Sequence, residues 1–200
     1  MSGTSVEAGT PMNDPARGDF KSLILRIESP ALRAVAQHWD EARGKKRMPS
    51  WTDLSTSALS SYFKMLWGLQ YDPETGDLTG RLLGDKIGKW VGPDFQGARL
   101  QDLFSRSTYQ EPHPTRLYSR SMYEEAKQIL TRIITTPLAA RSSGRLFTVE
   151  DFVVTGERIG LPMAADGKTG DGILGASDYV APPLLGPVKL VHENLEWYEI

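Results

Sequence analysis

Near residue 63 the apolar period of the chain changes from helical to strand-like, and this switch constrains the fold more than any other feature. Phe63, Met65, Trp67, Leu69 and Tyr71 alternate with Lys64, Leu66, Gly68 and Gln70, the two-residue period of a strand with one heavily apolar face. Asp72-Pro73-Glu74-Thr75-Gly76-Asp77 follows, in which proline presets φ and Gly76 can adopt the positive φ that closes a hairpin. Residues 78–83 then return as an antiparallel partner. Upstream the period is helical. Ser29 is a good N-cap, Pro30 suits the first helical position, and Leu32, Val35, Ala36 and Trp39 recur at i, i+3, i+4, i+7. Arg43 and Gly44 close that helix.

Beyond the hairpin, residues 86–90 and 100–104 read as short helices separated by Gly92-Pro93. Ser121 and Glu124 form a capping-box pair. The helix there carries Met122, Ala126, Ile129, Leu130 and Ile133 on one face, and Pro137 ends it. Strands are expected at 146–154, 158–163 and 172–180, with turns at Thr155-Gly156-Glu157 and at 165–171, which makes a three-stranded antiparallel meander. Pro182, Pro183 and Pro187 precede a last amphipathic stretch over 188–200. Segregated helices and strands of this kind predict an α+β fold, a five-stranded antiparallel sheet with helices on one face and an N-terminal amphipathic helix ahead of it. The expected division is a flexible tail over 1–19, a helical segment over 20–48, a sheet domain over 49–180 and a C-terminal extension over 181–200.

Composition excludes several function classes. The 200 residues include no cysteine, which removes disulfides, thiolate metal sites and a thiol nucleophile. With 23 basic against 25 acidic residues there is no global attraction to nucleic acid or anionic lipid. No apolar run approaches the roughly 20 residues that span a bilayer, and the N-terminal residues have no basic or apolar region of a secretory signal. The expected location is the cytoplasm. His38, His113 and His192 have no partner at a metal-binding helical spacing, so neither metal nor cofactor is implied. Lys168-Thr169 sits in a glycine-rich turn without the helix that a phosphate loop needs, and there is no nucleophile elbow.

Five local motifs stand in order along the chain: His38-Trp39-Asp40-Glu41-Ala42-Arg43-Gly44, Met48-Pro49-Ser50, Arg81-Leu82-Leu83-Gly84, Gly92-Pro93-Asp94-Phe95-Gln96-Gly97 with Leu100 and Leu103, and Glu157 to Met163 with Asp166-Gly167. With the order of elements, they resemble a bacterial family of stand-alone PAS-domain proteins first catalogued without known function. Trp51 and Asp85 depart from the pattern, where the family often carries arginine and threonine. The resemblance implies a sensory or signalling protein with no catalytic output of its own. It would bind a small apolar ligand, a protein partner, or both, without nucleic acid or membrane. The other readings are a ligand-free structural adaptor and a small hydrolase or isomerase on a related cavity fold. PAS pockets lie between the sheet and the helices over it. The resemblance therefore puts Met65, Trp67, Phe104, Met122 and Ile129 in an apolar lining, with Arg81 or Tyr118 as the polar contact. The stripe of Leu32, Val35, Ala36 and Trp39 would stand exposed ahead of the sheet domain and pair two copies into a homodimer.

Overall fold

A computed structural model describes residues 14–91, 93–105, 120–149, 152–180 and 188–200. The helix opened by Ser29 forms as α2 (Pro30–Arg43), with the Ser29 hydroxyl accepting from the Leu32 amide. A shorter helix, α1 (Phe20–Arg26), precedes it and is capped by the Asp19 carboxylate on the Ser22 amide. Residues 14–19, expected within the tail, include docked backbone: the Arg17 amide donates to the Trp197 carbonyl. A single helical turn, α3 (Thr56–Leu59), and a 3-10 helix over Ser60–Met65 lead into β1 (Leu66–Tyr71). The hairpin to β2 (Leu78–Leu83) closes as expected, with Gly76 at φ 70°. Then come α4 (Asp85–Val91), α5 (Leu100–Ser105) and α6 (Arg120–Thr135). The chain ends in β3 (Leu138–Val149), β4 (Phe152–Met163), β5 (Gly172–Val180), β6 (Val188–Leu190) and β7 (Asn194–Glu199).

The described strands form one antiparallel sheet in the order β2-β1-β5-β4-β3, with β6 and β7 sharing the edge beyond β3. Two differences from the sequence reading follow. The β3–β4 pairing runs out to Val149 opposite Phe152, and Thr155-Gly156-Glu157 is mid-strand. Gly156 is there for close approach: a Cβ would lie 2.2 Å from the Asp178 carbonyl oxygen on β5. The C-terminal stretch is not an appendage but the sixth position of the sheet, with Trp197 and Tyr198 fully buried.

Helices cover both sheet faces, not the single face expected, because the strands carry apolar side chains on both sides. The outer face presents Ile159, Leu161, Met163, Leu174 and Ala176, and α1 and α2 pack on it. Leu32, Val35, Ala36 and Trp39 have no exposed surface, and the Trp39 indole donates to the Pro162 carbonyl at 3.0 Å. The stripe expected as a dimer interface is therefore interior. The reason is that the sheet has a second apolar face for it to cover. Burying Leu32, Val35 and Trp39 contributes about 1.5–3 kcal/mol each. The inner face carries Trp67, Leu69, Ala140, Ile173 and Leu195 beneath α5 and α6.

Where the α1–α2 corner meets the outer face lies a buried ion network. Arg141 donates from Nε to Glu157 Oε1 at 2.6 Å and from Nη1 to Glu196 Oε2 at 3.0 Å. Glu157 in turn accepts the amides of Glu28 and Ser29, and the Tyr198 hydroxyl donates to Glu196. This pins the α1–α2 corner to three strands.

Candidate functional site

Strand alternation sorts β4 cleanly: Ile159, Leu161 and Met163 face outward, so Arg158 and Gly160 face inward. On β5 the inward set is Gly175, Ser177 and Tyr179; on β3 it includes Ala140 and Ser142, with Phe147 beyond a bulge. Register then makes a row. Ser142 is opposite Arg158, and Arg158 is opposite Ser177, so three polar side chains cross an otherwise apolar face. The Trp67 indole lies against β5, where a Cβ on Gly175 would come within 2.0 Å of the ring. Only glycine leaves room for it.

The facing wall is helical. Ala126, Ile129, Leu130 and Ile133 come from α6 at helical spacing, with Leu100, Leu103 and Phe104 from α5 and Ile87 from α4. Between the two walls is a cavity of about 190 Å³. An apolar cavity of about 150 Å³ holds a benzene molecule, so this one matches a single ring or a short branched chain.

The polar groups are few and placed. Ser177 Oγ accepts from Trp67 Nε1 at 3.1 Å and from Arg158 Nε at 3.2 Å. No carboxylate among the described residues comes within ion-pair distance of Arg158, and burial pushes its guanidinium down to about 10. His192, in the β6–β7 connection, lines the same cavity with its Nδ1 buried and unpartnered. Burial, and secondarily the charge of Arg158, pushes its imidazole down to about 3, so it is neutral at physiological pH. The Tyr179 hydroxyl donates to the Lys86 carbonyl at 2.8 Å, and its ring meets Phe147 edge-on at 5.1 Å.

Of the residues expected to line a pocket, Trp67, Phe104 and Ile129 border this cavity. Met65 does not. It ends the 3-10 helix before β1 and is buried with the outer-face core, because the strand alternation begins only at Leu66. Arg81 is also elsewhere: a register shift in the β1–β2 pairing sets it over the Trp51 ring at 4.8 Å, hydrogen-bonded to Gln70. Tyr118 and the Met122 side chain lie outside the described residues, as does His113. His38 accepts the Ser55 amide at 3.0 Å, a structural contact. Arg158, Ser177 and His192 were not anticipated. Alternation could have found Arg158, since it shares parity with Gly160 opposite an Ile159/Leu161/Met163 face.

Among the described residues no helix is long and apolar enough to cross a membrane, and no group of three or more His, Asp or Glu is placed to hold a metal ion. A family model described as PAS domain matches residues 27–177. No curated protein and no solved structure matches the chain.

Proposed function

Because the chain belongs to the PAS-domain family, we propose that it is a cytoplasmic sensory protein that takes a small, mainly apolar ligand in the inner-face cavity and reports occupancy to a protein partner. The observation that carries this reading is the cavity itself. It lies between α6 and the sheet, where side chains would otherwise interdigitate, and it is apolar with a few placed polar groups, the usual constitution of a ligand site.

Acid–base catalysis fits the lining poorly. An imidazole at about 3 is a weak base at neutral pH, and Ser177 Oγ already accepts two hydrogen bonds. A route to the surface supports the signalling reading. Tyr179 on the cavity wall bonds Lys86; Lys86 Nζ pairs with Asp178 at 3.2 Å; and Asp178 accepts from the Ser29 hydroxyl, which caps α2. A ligand that moves Tyr179 thereby acts on the N-terminus of α2.

Filling the space tests the proposal. A single-ring fragment found by screening should stabilise the wild type by about 2.7 kcal/mol at 100 times its Kd. With Ile129→Trp, whose indole would occupy the cavity from α6, that stabilisation should vanish in the same melting experiment. Equal stabilisation of both proteins would place the ligand elsewhere.

A further inference from the structure

The inner-face row presents donors without acceptors. Arg158 uses Nε on Ser177, and neither of its Nη groups has a hydrogen-bond acceptor among the described residues. Ser177 Oγ accepts from two groups that can only donate, Trp67 Nε1 and Arg158 Nε, so its own proton must point to a third atom. A guanidinium that lines an apolar cavity without a counter-charge is costly, and a ligand seated in that cavity can supply one. The chemistry that satisfies several donors and one positive charge at once is an acceptor-only anion. A carboxylate fits best, because its two oxygens match the fork of an arginine.

The charge count narrows the class further. His192 lines the same cavity but is uncharged, so Arg158 brings the only full charge to the described lining. A monoanion is balanced there and a dianion is not. The rest of the lining sets the body of the ligand: Trp67, Phe104, Ile129 and Ile133 offer apolar surface around a space on the scale of one ring. We infer that the cavity binds a small monocarboxylate, its carboxylate held by Arg158 and the Ser177 hydroxyl and its ring or short aliphatic body seated against α6.

This inference rests on the proposed ligand-binding function, and one experiment separates the two. Benzoate and benzyl alcohol share a ring and differ in the charge of the head group. Their affinities for the full chain are measured by calorimetry in wild type, Arg158→Met and Arg158→Lys. The wild type should bind benzoate roughly tenfold more tightly or better, the margin of a charged hydrogen bond over a neutral one. Arg158→Met should lose that preference while still binding benzyl alcohol, and Arg158→Lys should retain part of it. Equal affinities of the wild type for the two probes would mean that water serves as the partner of Arg158, which overturns the monocarboxylate assignment and leaves the cavity reading standing. Binding of neither probe to the wild type would overturn both.

Discussion

Arg141→Met is expected to destabilise the protein by about 3–5 kcal/mol, the range for removing one member of a buried ion network. The Arg141, Glu157 and Glu196 side chains are each less than a tenth exposed, so solvent cannot replace the lost cation. Burial tends to raise the Glu196 carboxyl, yet the bonds from Tyr198 and Arg141 outweigh it and hold the group below its ordinary value. Without Arg141, the Glu157 and Glu196 carboxyls would be left in the interior without the cation that bridges them. The loss would reach α2 as well, because Glu157 orients the Glu28 and Ser29 amides at its start. Urea unfolding measures the effect. A comparison variant, Arg26→Met, removes a half-exposed partner of the same Glu196 and should lose less than about 1 kcal/mol. A loss of that small size for Arg141→Met would mean that the network does not hold the corner.

The second large effect is a dependence of stability on pH through His192. Its imidazole lies at about 3 in the folded chain against 6.5 ordinarily, so between those values the unfolded chain binds a proton that the native chain does not. The associated stability is complete above pH 6.5 and falls as pH falls toward 3, by roughly 4–5 kcal/mol in all. Acidic groups such as Glu196 lose stability in the same direction, but at lower pH. The diagnostic window is therefore pH 6.5 to 5, where the wild type should lose about 2 kcal/mol. His192→Gln removes the titrating group and should flatten the curve there. Parallel curves for the two proteins would show that His192 is not held neutral by its site.

Legibility in the sequence followed how local the determining interaction is. The capped helix α2 and the β1–β2 hairpin were readable because Ser29, Pro30, Gly44 and Gly76 act within a few residues of themselves. The start of β3 was not. Leu138-Ala139-Ala140-Arg141-Ser142-Ser143-Gly144 has no aromatic or β-branched residue, and it is a strand because β4 and β7 flank it. Gly156 reads as a turn by type, yet it is conditioned by a carbonyl on β5, a contact with no trace in local sequence. The Trp39 stripe was visible as an apolar face, but what covers it depends on the outward residues of β4 and β5 more than a hundred positions later. At the site, strand and helix periods pointed to Trp67 and Ile129. His192 lies in a connection with no period at all, and only the fold brings it to Arg158.

The space between α6 and the sheet is expected to accept a guest. The indole N–H of Trp67 reports on it directly, since Trp67 lines the cavity and donates to Ser177. The Trp39 indole, bonded to Pro162 on the outer face, is the internal control. In a proton–nitrogen correlation spectrum of the labelled protein titrated with toluene, the Trp67 indole signal should shift saturably while that of Trp39 stays in place. A Trp67 signal that does not move up to the solubility of toluene would mean that the cavity takes no such guest.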